Sequence, residues 1–178
     1  MKKLLFLSFL TFGLIYSSAQ ENFDVSTLRI GAYTINMKKK DIEKVSKTQV
    51  VSFTAKDENY KNVAVKYLGE TIDMIIAQSS DNQGMYDGGY EITSLSTKSK
   101  KFATKSGMKV GSTRAQLLET YKNYPNFCIS FLWNEKTHKQ STSDSIFLLT
   151  DIDAGTFLSF QMLNDVVTIV SVYKSQGD

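Results

Sequence analysis

The spacing of hydrophobic and polar positions changes period several times along the 178 residues. Between 36 and 45 the chain reads NMKKKDIEKV, where Ile42 and Val45 stand three apart behind a polar run. That spacing predicts a short helix. Between 111 and 121 it reads GSTRAQLLETY, with Leu117, Leu118 and Tyr121 on one apolar stripe. Ser112 or Thr113 stands where a side-chain oxygen caps the free amides of a first turn, so a second short helix is predicted there. After each helix the pattern shifts to alternation. Strands are predicted over 49–55, 62–68, 71–78 and 90–97, then over 126–133, 145–150, 156–163 and 166–173. They are rich in Val, Ile, Phe, Thr and Tyr and are parted by Gly, Asn, Asp and Ser. Leu68-Gly69-Glu70, Asp153-Ala154-Gly155 and Asn164-Asp165 predict tight antiparallel hairpins, and 79–89 and 134–144 predict long loops.

The order helix, four strands, helix, four strands suggests two related halves. Ile35-Asn36 and Val110-Gly111 at the helix starts are 75 residues apart, as are Ile42 and Leu117, and Ile92-Thr93 and Val167-Thr168. The expected fold class is α+β, with tandem units over 28–102 and 103–178. Each would be a short helix packed on a four-stranded antiparallel sheet.

The stretch 102–113, FATKSGMKVGST, followed by the helix ending at Tyr121, is similar to a known opening phrase, T-x-x-G-[IM]-x-[IV]-G-[ST]-[ST]. That phrase begins repeat units in β-lactamase-inhibitor-protein-like folds, and small outer-membrane assembly lipoproteins carry a comparable one. The resemblance implies a short helical element before a four-stranded antiparallel sheet, with tandem copies joining their sheets into one curved surface. In the first half Asn36 stands in for the motif Gly and Met37 for the capping hydroxyl residue. A resemblance of this kind argues a fold more than a function. Gly107, Gly111 and Ser112 accordingly read as fold residues: a glycine lets the backbone turn, and the hydroxyl satisfies orphan amides.

The N-terminus changes the charge and the compartment. Lys2 and Lys3 precede an apolar run over 4–16, and Ser17, Ser18 and Ala19 follow. Positive charge, apolar stretch and small residues in that order read as an export signal over 1–19, which places the mature chain in the periplasm or outside the cell. The run is about 13 residues, short of the ~20 that cross a bilayer. Without Lys2 and Lys3, the 21 basic residues fall to 19 against 18 acidic ones, a net charge of +1. So small a charge gives no field for nucleic acid.

Little in the sequence supports catalysis or metal binding. The single Cys and single His exclude disulfide frameworks and multi-His or multi-Cys metal sites. His138 lies in a polar stretch and reads as solvated. Cys128 sits among apolar neighbours in NFCISF and reads as a buried, poorly reactive thiol. Asp151, Asp153 and Gly155 imitate the start of a calcium loop, but the remaining ligand positions are missing, so a hairpin turn accounts for them better. Lys38-Lys39-Lys40 makes a basic helix start that reads first as a solvated face, with an acidic partner as the alternative. No catalytic residue, metal or cofactor is expected.

The stronger hint is the apolar character of both faces of the later strands. Phe127, Ile129, Phe131 and Trp133 read as a core stripe, and Leu158, Phe160 and Met162 alternate with Phe157, Ser159 and Gln161. Short helices cover one face, and the other must meet either another part of the chain or a partner. The expected function is an exported, non-catalytic envelope protein. It would bind another protein through a curved sheet face as an inhibitor, immunity protein or assembly scaffold. Tyr67, Trp133, Phe160 and Tyr173 are the expected contacts. The alternative is a carrier of a small apolar ligand such as a lipid.

Overall fold

The computed structural model describes residues 22–54, 58–80, 83–135 and 137–175. The segment read as an export signal lies outside them. In chain order the elements are β1 (Asp24–Val25), β2 (Arg29–Ile30), β3 (Tyr33–Thr34), α1 (Lys39–Ser46), β4 (Tyr60–Tyr67), β5 (Glu70–Ser80), β6 (Tyr86–Thr97), β7 (Ala103–Thr104), α2 (Arg114–Tyr121), β8 (Phe127–Asn134), β9 (Lys139–Asp151), β10 (Thr156–Leu163) and β11 (Val166–Lys174). Seven long strands form one antiparallel sheet in the order β4-β5-β6-β11-β10-β9-β8. Four two-residue strands form a second sheet, β3-β2-β1-β7, in which β1 and β7 pair in parallel.

This corrects the expected α+β class with a helix on a four-stranded sheet in each of two units. The chain is mostly β, 54% strand against 11% helix, and its sheets have seven and four strands. The physical reason lies in two places. The predicted strand over 49–55 does not join the ladder where it is described. Its carbonyls are met by side chains instead: Lys61 Nζ donates to Ser52 O, Gln78 Nε2 to Thr54 O and Tyr86 Oη to Phe53 O. The N-terminal residues, given no element by their pattern, meanwhile build the small sheet. Val25, Ile30 and Tyr33 are buried there. Pairing of β6 with β11, from Ser94↔Tyr173 to Thr97↔Val170, then makes the long strands one sheet.

Turn chemistry sets the register as expected. Leu68 and Gly69 both have positive φ, as do Asn164 and Asp165, which is the backbone that two-residue hairpins require. They join β4 to β5 and β10 to β11. The expected long loops are shorter, because β5, β6 and β9 run on through much of 79–89 and 134–144.

The helix starts dock alike. Asn36 N donates to Ile92 O and Ile92 N to Met37 O; Gly111 N donates to Val167 O and Val167 N to Ser112 O. Those partners keep the 75-residue offset. Asn36 and Gly111 both have positive φ, so Asn serves where glycine would be the usual choice. The caps differ. Thr113 Oγ1 accepts from Gln116 N while Gln116 Oε1 accepts from Thr113 N, a capping box, whereas Lys38 before α1 makes no side-chain cap.

Both helices and the small sheet lie on one side of the large sheet. Ile42 of α1 and Leu117 of α2 are fully buried. Tyr121 of α2 meets the rings of Phe147 and Phe160, and Glu43 of α1 accepts from the Tyr90 hydroxyl at 3.0 Å. Between them the small sheet places Tyr33 against Tyr67, with Tyr67 stacked on Phe102. Across the large sheet a core row runs Val63, Met74, Leu95, Val172, Leu158, Leu149, Phe127, one residue from each strand.

Candidate functional site

The row next to that core row points the other way. It reads Ala64, Asp73, Ser96, Ser171, Ser159, Leu148, Cys128. Its neighbour reads Asn62, Ile75, Ser94, Tyr173, Phe157, Thr150. The middle of this outer face is therefore floored by short hydroxyl side chains, which keep the backbone close to the surface. The apolar and aromatic residues stand beside them.

A single depression of about 590 Å³ is lined from six strands: Asn62, Asp73, Ser94, Ser171, Ser159 and Ile146 all reach it. A face that one depression spans so widely is concave, as the twist of a seven-stranded sheet favours. Tyr173 lines this hollow and also an adjoining one of about 1270 Å³, with Phe157, Thr93 and Lys174. The Tyr173 and Phe157 rings lie 5.3 Å apart. Burial pushes the Tyr173 phenol up from its ordinary value, and the Cys128 thiol on the same face adds to the rise. Asp73 is the one charged residue lining the smaller hollow, and it is exposed. Glu91, at the rim of the larger one, is neutralised by Lys38 and by Lys174 at 3.7 Å.

The structure separates the four expected contact residues. Tyr173 lies in the concave face. Trp133 is 62% exposed near the far end of β8, opposite Gln140. Tyr67 is half-buried under the small sheet, on the helix side. Phe160 has no exposed surface; it closes the core between Tyr121 and Phe147. Sequence reasoning missed Asn62, Asp73 and the serines. Their signal was small polar residues at alternate strand positions, but only the register across strands assembles them.

The isolated chemical candidates take structural places. Cys128 is exposed, a correction to the expected buried thiol: β8 is an edge strand and its even-numbered side chains face outward. Phe131 and Trp133, expected in the core stripe, are likewise exposed, and extra residues of β9 (141–144) opposite Leu132 break the register between them. His138 occupies the exposed β8–β9 turn with positive φ. That turn is six residues along the strand from Cys128, about 20 Å at the rise of a strand, so the two do not form a pair. Asp151 accepts from Thr27 Oγ1 at 2.8 Å and from Ala154 N at 3.0 Å, tying the small sheet to the β9–β10 turn. Among the described residues no group of three His, Cys, Asp or Glu could hold a metal ion, and no helix is long and apolar enough to cross a membrane. No family model, curated protein or solved structure matches the chain.

Proposed function

We propose that the chain is an exported, non-catalytic protein that binds another protein through the concave face of its seven-stranded sheet. The observation that carries this reading is that face: one hollow crosses six strands, floored by Ser94, Ser96, Ser159 and Ser171 and flanked by the Tyr173–Phe157 pair. A shallow floor with an aromatic wall suits a protruding loop of a partner, since rigid aromatic anchors carry much of the binding energy at protein interfaces. The serines and Asn62 supply hydrogen bonds without side-chain bulk. Export, read from residues 1–19, places such a partner in the envelope or outside the cell. Phe160, without exposed area, offers a partner nothing; of the four expected contacts only Tyr173 lines the hollow, and Asn62, Asp73 and Phe157 are added beside it.

The test is capture of envelope proteins from the producing cell by immobilised mature chain, repeated with Ser171→Arg and Asp73→Lys. Both substitutions fill the hollow without touching a core row. Capture should fall at least tenfold while the melting temperature stays within a few degrees. Capture that survives both variants, or a lipid copurifying in native mass spectrometry, overturns the reading.

A further inference from the structure

The two edges of the large sheet are built differently. β4 carries Lys61 and Lys66, and charged side chains of this kind deter pairing with other chains. β8 reads FCISFLWN and carries no charge from Phe127 to Asn134. The ladder irregularity beyond Phe131, where β9 carries extra residues over 141–144, leaves 127–131 regular. Asn126 O accepts from Thr150 N at 2.8 Å, which fixes the alternation of the β8–β9 ladder. The even-numbered residues bond to β9, and the amides and carbonyls of Phe127, Ile129 and Phe131 face sideways, away from the sheet. The side chains of those three residues form an apolar stripe on the helix side. Phe127 stacks on Phe147 at 5.3 Å, Ile129 packs against the core, and Phe131 lies under the Arg114 guanidinium at 5.0 Å.

We propose that this edge pairs antiparallel with the β8 edge of a second copy of the chain, about a two-fold axis at Ile129. In that register every sideways-facing backbone group between 127 and 131 meets its complement. Phe127 stands opposite the second copy's Phe131, and Ile129 opposite its own counterpart, so both core stripes continue across the axis. On the concave side Cys128 stands opposite Ser130. A second copy is favoured over a charged partner because the segment is uncharged and its pattern is self-matching about Ile129, so no like charges confront each other. The axis also closes the assembly, because the outer edges left over are the lysine-bearing β4 strands. Five paired residues span about 17 Å of a layer about 10 Å thick, well short of the ~800 Å² per partner of a stable interface. The dimer is therefore weak and reversible.

Sedimentation equilibrium of the mature chain should show a monomer–dimer equilibrium with a dissociation constant on the order of 10–1000 μM. Both Cys128 and Ser130 are exposed, so Cys128→Lys with Ser130→Lys spares the fold while setting lysine opposite lysine; dimerisation should weaken at least tenfold. Ser130→Cys alone, under oxidation by a small-molecule disulfide, should give a covalent dimer through the new thiol and Cys128 of the other copy. The same substitution in a Cys128→Ser background should give much less, since diagonal neighbours lie about 7–8 Å apart. A wild-type chain that stays monomeric up to about 1 mM overturns the proposal, as does a dimer indifferent to the lysine pair. Capture of an extended peptide by a monomeric chain also overturns it, by making β8 a strand-addition site for another protein.

Discussion

Tyr90 shows how one buried group links a helix to the sheet and to pH. It is 1% exposed on β6 and donates to Glu43 on α1, while Lys39 Nζ lies 5.7 Å from its ring centre. Burial first, then the hydrogen bond to Glu43 and its charge, push the phenol up to about 12. A raised pKa means that the folded chain holds this proton more tightly than the unfolded one. The stability it contributes is fully present below the unfolded value near 10 and is lost as pH rises from there toward 12. Tyr90→Phe should therefore lower stability at neutral pH by about 1 kcal/mol, the net worth of a buried hydrogen bond. Its alkaline decline should be shallower than that of the parent. Denaturant titrations at a series of pH values check both; parallel declines would remove Tyr90 from the account.

At the scale of elements, the hairpins were legible because their turns are written locally. Leu68-Gly69 and Asn164-Asp165 announce positive φ, and β10 runs over 156–163 as its alternation predicts. The partnership of strands was not legible. Nothing in 49–54 says that side chains will take its carbonyls, and nothing in 22–35 says that two-residue strands will form, because both depend on distant residues such as Lys61, Gln78 and Ala103. The concave face was half legible: Tyr173, one of the expected contacts, lies on it, but Ser96, Ser171 and Ser159 become neighbours only through pairings across three strands. The second helix is a case where local chemistry sufficed. Its capping box rests on Thr113, so Thr113→Ala should cost about 1 kcal/mol, read as a lower denaturation midpoint at an unchanged slope. An unchanged midpoint would mean that Ser112, whose hydroxyl accepts from Lys109 N, already holds the helix start.

At the scale of the whole molecule, the large sheet separates two environments. On one side Ile42, Leu117, Tyr121 and the small sheet complete a core. On the other the rows carry serine, asparagine and aspartate around one aromatic pair. The same alternation thus supplies stability and a surface, and substitutions sort by ladder row, with parity reversing at the bulges in β6 and β11. A residue whose ladder row includes Leu95 and Val172 belongs to the fold, and one whose row includes Ser96 and Ser171 to the concave face.

The parallel pairing of Asp24 with Ala103 and Val25 with Thr104 has a consequence in time. It joins positions about 80 residues apart, and the β6–β11 pairing that completes the large sheet spans a similar stretch, whereas the hairpins close over a few residues. The small sheet has only two-residue strands to offset that closure, so it is expected to act as a clasp that forms after the large sheet. Val25, 2% exposed within it, is where this shows: Val25→Ala should speed unfolding and leave the refolding rate nearly unchanged. Slower refolding would place the clasp in the nucleus instead.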